Sequence, residues 1–182
     1  MKDIILFILL SIPIVFLSRR TLFKINSHGF FRFYAWELIL LLVICNYRYW
    51  FEDIFGIKQI VSWILLIYAA YTLIVGVILI KKEGKPQHTR EDAALFKFEK
   101  TTELVESGIF RYIRHPLYGS LLSLTWAIFL KNTTVALFLI SLLSSVFLFL
   151  TAMFDEKECI AYFGENYRDY MKRTKRFVPF LF

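Results

Sequence analysis

The sequence predicts an all-α integral membrane bundle of about five transmembrane helices. Three observations predict it. Hydrophobic residues make up 58% of the 182 positions and the mean hydropathy is +0.56, above the balance of a soluble domain. The apolar residues gather in five stretches, Ile4–Leu17, Phe30–Ile44, Ile60–Ile80, Leu117–Leu130 and Thr133–Phe154. The basic residues gather between those stretches on alternating sides. The third and fifth stretches are long enough to cross a hydrocarbon core of about 30 Å at about 1.5 Å per residue. The first two reach that length by extending into their flanks. The chain reads as a single membrane domain over residues 1–182: three N-terminal spans (1–80), an inner-side loop (81–116), then a helical hairpin with an amphipathic tail (117–182).

The first stretch lacks the pattern of a cleavable signal peptide. Its only preceding basic residue, Lys2, is followed at once by Asp3, and the stretch ends in Ser18-Arg19-Arg20 without a small-x-small site. With five spans and the N-terminus outside, all of the 22 Lys and Arg except Lys2, Arg48, Lys58 and Lys131 fall on the inner side. This predicts a multi-pass protein whose inner side is the cytoplasm. The formal charge of +7 fits a membrane surface; a chain this apolar is not expected to bind nucleic acid. Cys45 and Cys159 fall on opposite sides and are expected as free thiols. With three scattered histidines they suggest no metal site. The seven glycines never fall as G-x-G, which excludes a glycine-rich dinucleotide loop, and no phosphate-loop pattern occurs.

Span two contains the one acid inside a stretch, Glu37, which is a candidate functional group or a partner of Arg32. Span three ends at Gly84-Lys85-Pro86. The following loop is long enough to be functional, and Glu91–Lys100, with Leu95, Phe96 and Phe98, is expected as a short interfacial helix. Lys131-Asn132-Thr133-Thr134 leaves room only for a turn, so spans four and five are antiparallel neighbours. Their unequal lengths leave the start of span four about 12 Å short of the end of span five. Arg114, His115 and Pro116 therefore begin span four at a recessed depth, facing Asp155, Glu156 and Glu158. Charged groups there require a cavity or a protein surround. Pro116 suits the first helical position, and the positive end of span four favours an anion. In the tail, Phe163, Tyr167, Tyr170, Met171 and Thr174 recur at helical spacing beside Lys172, Arg173, Lys175 and Arg176, a pattern suited to anionic lipid. Phe177–Phe182 would dip into the interface or cover the cavity.

The run Ser107-Gly108-Ile109-Phe110-Arg111-Tyr112-Ile113-Arg114-His115-Pro116-Leu117-Tyr118-Gly119 resembles the signature of the membrane methyltransferases, the isoprenylcysteine carboxyl methyltransferases and phospholipid methyltransferases. Asp155-Glu156, then Phe163-Gly164-Glu165-Asn166-Tyr167-Arg168-Asp169-Tyr170 and Arg173, resemble the second element of that family. The family's first acid is Glu, and here it is Asp155. The resemblance spans about Leu104–Pro179. It implies S-adenosylmethionine as methyl donor, bound without a Rossmann domain and with S-adenosylhomocysteine as product. The implied cofactor-binding residues are Leu104, Val105, Gly108, Tyr112, Arg114, His115, Pro116, Tyr118, Asp155, Glu156 and Tyr167. The three tyrosines fit an interfacial aromatic belt equally well. Arg173 matches the position that orients an acceptor carboxylate. Glu156 would meet the donor's positive groups, and an amine acceptor would call for Glu37 or another carboxylate as base or cation partner. The implied acceptor is a lipid or lipidated small molecule taken from the bilayer. An isoprenylcysteine-like carboxylate is the first expectation and a phospholipid amine the second. A sterol-reductase-like enzyme with a nicotinamide cofactor and a non-enzymatic membrane scaffold are further alternatives.

Overall fold

The computed structural model describes residues 1–86 and 95–178. Those residues form six α-helices: α1 (Lys2–Ser18), α2 (His28–Asn46), α3 (Ile57–Glu83), α4 (Pro116–Phe129), α5 (Val135–Phe163) and α6 (Glu165–Arg173). A 3-10 turn, Tyr47–Tyr49, prolongs α2. Three helices are long and apolar enough to cross a membrane: His28–Tyr49, Ile57–Glu83 and Val135–Phe163. The shorter α1, with 17 residues, and α4, with 14, complete the five apolar helices expected.

The ends follow local chemistry. The Ser27 hydroxyl accepts from Gly29 N at the start of α2, and the Thr134 hydroxyl accepts from Leu137 N at the start of α5. Pro116 takes the first position of α4, where no N–H is needed.

Packing pairs α2 with α5 and α3 with α4, and the α4–α5 hairpin joins the two pairs; α1 packs against α2. Small polar residues sit at the seams. Ser62 of α3 donates to Ala127 O of α4 at 2.7 Å, and Gly76 lets Leu117 approach so closely that a Cβ there would lie 2.7 Å from its Cδ1. The outer faces stay apolar and exposed, as at Ile67 and Ile74 of α3 and Leu139 and Leu143 of α5, which is the pattern of lipid-facing helices. At the hairpin turn the Lys131 ammonium is buried. It donates to Gln59 Oε1 at 2.9 Å and lies 3.8 Å from the centre of the Trp63 ring.

Two segments differ from the sequence expectation. Residues 91–94 of the expected interfacial helix lie outside the described residues, as does Arg90, and Leu95–Lys100 is turn rather than helix. In the tail, the helical part of the amphipathic pattern stops at Arg173, short of Thr174, Lys175 and Arg176. Gly164, at φ 61° and ψ −133°, breaks it into the end of α5 and a separate α6. Residues 174–178 then run back along the segment before α4. Arg114 N donates to Lys175 O at 2.8 Å, His115 N to Arg176 O at 3.1 Å, and Lys175 N to Tyr112 O at 3.0 Å. Phe177 packs with Tyr118 and Ala152; residues 179–182 lie outside the described residues.

The backbone at Gly164 is one that an L side chain adopts only with strain, although the space around it is open. Gly164→Ala should therefore cost about 1–3 kcal/mol by strain alone. A lowered Tm in detergent checks this; an unchanged Tm would mean that the reversal into α6 tolerates a Cβ.

Candidate active site

A partly open cavity of about 110 Å³ lies where α3, α4, α5, α6 and the segment 95–105 meet. The segment is anchored on both sides. Ser107 Oγ donates to Glu83 Oε2 at 2.6 Å at the end of α3, and Thr102 N donates to Gly84 O at 2.9 Å. On the other side, Glu99 receives the buried Arg32 guanidinium of α2 at 3.1 Å and the Phe96 N–H at 2.9 Å. The same guanidinium lies 4.6 Å from the centre of the Phe96 ring and 5.1 Å from that of Trp36.

The recessed start of α4 brings basic and acidic groups together. Arg114 donates through Nε to Glu156 Oε1 at 3.0 Å and through Nη1 to Met171 O and Thr174 O. Arg176 completes a clamp on the same carboxylate, with Nη2 2.6 Å from Oε2 and Nε 3.1 Å from Oε1. One buried acid thus fixes both the α4 approach and the returning tail. His115 places Nδ1 3.4 Å from Asp155 Oδ2 and Nε2 3.4 Å from Glu156 Oε1, and its ring stacks on Tyr118. Its Nε2 is buried with no hydrogen-bond partner. Burial disfavours charge on His115, but the flanking Asp155 and Glu156 outweigh it, so its pKa is raised above 6.5.

Eight of the expected cofactor residues line the cavity: Leu104, Val105, Arg114, His115, Pro116, Tyr118, Asp155 and Tyr167. The others lie elsewhere. Glu156 sits behind the wall, in the arginine clamp. Gly108 takes φ +55° in a turn against α3, where a Cβ would lie 2.7 Å from Leu79 Cδ1. Tyr112 is half exposed. Arg173 pairs with Glu106 at 2.6 Å with 60% of its side chain exposed. Glu37 accepts from Ser11 Oγ of α1 at 2.6 Å, while Arg32, its sequence-level partner, pairs with Glu99.

Sequence reasoning missed Glu99, Cys159 and Phe163 on the cavity wall and, behind it, His28. His28 opens α2, is fully buried, and meets Glu158 of α5 twice: its N–H donates to Oε1 at 3.0 Å and its Nδ1 lies 2.6 Å from Oε2. The available signal was spacing, since His28 and Arg32 are four apart and so share one face of α2. His28, Asp155 and Glu158 offer ligand atoms within 4.8 Å of one another. Both Glu158 oxygens are already engaged by His28, and Asp155 Oδ1 stands 3.9 Å from His28 Nδ1, beyond hydrogen-bond distance.

A helical integral membrane bundle with an ionic cavity at one end is the class these observations define. The chain belongs to the phospholipid methyltransferase family, whose profile matches residues 57–167. It is similar to the methanethiol S-methyltransferase of Pseudomonas deceptionensis, with 30% identity over 73 residues, 40% of this chain and 27% of that protein. It is also similar to methanethiol S-methyltransferase 2 of Bradyrhizobium diazoefficiens, with 32% identity over 74 residues, 41% of this chain and 28% of that protein. The match thus spans little more than a quarter of these relatives' length. No solved structure matches.

The His115 shift sets a pH test. The unfolded residue titrates near 6.5 and the folded one higher. Its charge therefore adds stability that is fully present below pH 6.5 and is lost as pH rises through the folded value. Melts from about pH 6 to 9 should show wild type losing its advantage over His115→Gln as pH rises; a constant gap would assign His115 a packing role only.

Proposed function

We propose that the cavity binds S-adenosylmethionine and that the protein transfers its methyl group to an uncharged nucleophile on a small or lipophilic acceptor. The observation that carries this is the buried pairing of Asp155 with His115 beside the free end of α4. Bound S-adenosylmethionine supplies an electrophilic methyl on a sulfonium. The chain's residues match its parts. Asp155 and Glu99 present carboxylates to the cavity for the ammonium and sulfonium. The first-turn N–H groups of Leu117 and Tyr118, which have no intrahelical partner by helix geometry, suit its carboxylate. His115 Nε2 is a buried nitrogen still lacking a hydrogen bond, and Tyr118, Phe163 and Tyr167 offer ring faces for adenine. The apolar remainder, including Ile80, Leu95 and Leu117, excludes water from the nucleophile.

The choice of acceptor turns on where the cations are. A carboxylate acceptor, such as an isoprenylcysteine, calls for a cation at the reacting end. Arg114 lines the cavity but is committed to Glu156, Met171 and Thr174, and Arg173 is committed to Glu106 on the surface. This arrangement favours a thiol or an amine. The thiol has the further support that the relatives carry the name methanethiol S-methyltransferase.

Calorimetry in detergent tests the donor. S-Adenosylhomocysteine should bind and NADPH should not. Asp155→Asn should weaken S-adenosylmethionine binding by about 1.5–3 kcal/mol, the range of a charge-assisted hydrogen bond. Saturable NADPH binding without S-adenosylhomocysteine binding would return the protein to the reductase alternative. Turnover with labelled S-adenosylmethionine on methanethiol, an isoprenylcysteine analogue and phosphatidylethanolamine then ranks the acceptors.

The basic bias of the connections at the cavity's end of the bundle supports a cavity that opens toward the cytoplasm. Thr133→Cys, in a Cys45→Ala background, should react with an impermeant maleimide added to intact cells, and Lys172→Cys should not. The opposite labelling would invert the topology.

A further inference from the structure

A thiol or ammonium acceptor must lose a proton as it is methylated, and the cavity's inner wall is built of buried side chains such as His115, Tyr118 and Tyr167. That proton needs a way out. The polar wall supplies one. His115 and Asp155 face the cavity, with 3.4 Å between Nδ1 and Oδ2. Against the other Asp155 oxygen, Oδ1, stands His28 Nδ1 at 3.9 Å, and 2.6 Å beyond that nitrogen lies Glu158 Oε2. Glu158 is not part of the cavity wall and keeps 23% of its side chain exposed. Four titratable groups therefore run in order from the cavity to the surface.

We propose that this row, His115–Asp155–His28–Glu158, carries the acceptor's proton out of the cavity, with His28 passing it from Asp155 to Glu158. The proposal rests on the methyl-transfer reading above. It also narrows that reading to acceptors that arrive protonated, because a carboxylate would release no proton. In the transfer, the acceptor's S–H or N–H bond breaks and its electron pair bonds to the methyl carbon. The methyl–sulfonium bond breaks, its pair returns to sulfur, and a neutral thioether remains. The proton goes to the Asp155–His115 pair.

His28 Nδ1 faces both carboxylates. Starting as the imidazolium, His28 hands its Nδ1 proton to Glu158 and keeps the Nε2 proton; the Nδ1 lone pair is then open to the proton of Asp155, which restores the imidazolium. Closing the Asp155 gap from 3.9 Å to a hydrogen bond of about 2.9 Å needs a shift of about 1 Å. Arg32, one turn further along α2, also faces His28 and Asp155, and Glu156 with its arginines faces His115. The row thus lies between two fixed guanidinium–carboxylate pairs, Arg32–Glu99 and the Glu156 clamp, both engaged elsewhere.

A purely structural role, a staple between the start of α2 and α5, predicts something different: lost stability with no change in pH dependence. Glu158→Gln keeps a carbonyl for the His28 N–H and removes the titratable group. His28→Asn keeps a side-chain donor and cannot ionise. For each variant, S-adenosylhomocysteine affinity is measured by calorimetry. Turnover is measured against pH with two probes, an alkanethiol that is protonated at neutral pH and para-nitrothiophenol, which is ionised. Both variants should bind S-adenosylhomocysteine within about twofold of wild type. They should lose about tenfold or more in alkanethiol turnover at neutral pH, the lower end of general-base effects, and recover as pH rises. They should match wild type on the ionised thiol. Equal losses on both thiols at every pH, or no loss on either, would overturn the relay. So would wild-type activity abolished by a chelator and restored by zinc, which would assign the same three side chains to a metal. Wild type that fails to bind S-adenosylhomocysteine would overturn the methyl-transfer reading together with the relay.

Discussion

The unequal lengths of two neighbouring helices set the conditions for the rest of the structure. α4 has 14 residues and α5 has 29, joined by a tight turn at one end. At the other end α5 therefore runs on, and the start of α4 comes level with Asp155 and Glu156. From Asp155 to the end of α5 at Phe163 the helix still rises about 12 Å. The polar start of α4 is thus enclosed rather than placed at a free surface. Buried charge is tolerated only when paired. Glu156 answers Arg114 and Arg176, and Asp155 answers His115. The same mismatch leaves space alongside the projecting part of α5, and α6, the tail and segment 95–105 close around it.

That constraint was legible in the sequence because it depends on counting. Apolar run lengths, a four-residue turn and a Pro after Arg-His suffice to predict a recessed α4 facing acids. The backbone punctuation was legible too, with Pro116 opening α4 and Gly164 ending α5. What local pattern does not encode is pairing across long sequence distance. Glu156 reads as an acid aimed at a ligand, yet in the fold two arginines compete for it, one 42 and one 20 residues away. Arg173 reads as a clamp on an acceptor. Its helix, however, packs Tyr167 and Tyr170 inward and leaves Arg173 outward with Glu106. Thr174, Lys175 and Arg176 read as part of the amphipathic tail, whereas the backbone groups before α4 recruit this stretch into strand-like pairing. Unsatisfied N–H and C=O groups at a recessed helix start need partners, and the tail supplies them.

Glu37 illustrates the opposite failure. An acid in an apolar stretch is a functional candidate by default. In the fold it faces α1, where Ser11 lies within hydrogen-bond distance, and stands apart from the cavity. A hydrogen bond between helices in an apolar surround joins α1 to α2 at a point where packing alone offers little discrimination. Position within a stretch is readable from sequence, but the side of the helix that meets a neighbour is decided by the bundle.

The family match covers residues 57–167, which holds α3, α4, α5 and the cavity-lining segment but not α1 or α2. Two side chains of α2 nonetheless bear on the cavity from outside that range. Arg32 holds Glu99, and His28 holds Glu158 beside Asp155. The acidic and apolar groups of the cavity wall belong to the matched core. The residues that fix the loop covering that cavity, and those that connect its acid to the surface, come from the unmatched helix. A methyl donor is common to every acceptor such a fold serves, while the acceptor's shape and protonation state differ. The matched core thus carries most of the cavity wall, while the unmatched α2 holds Glu99 and Glu158 from behind it.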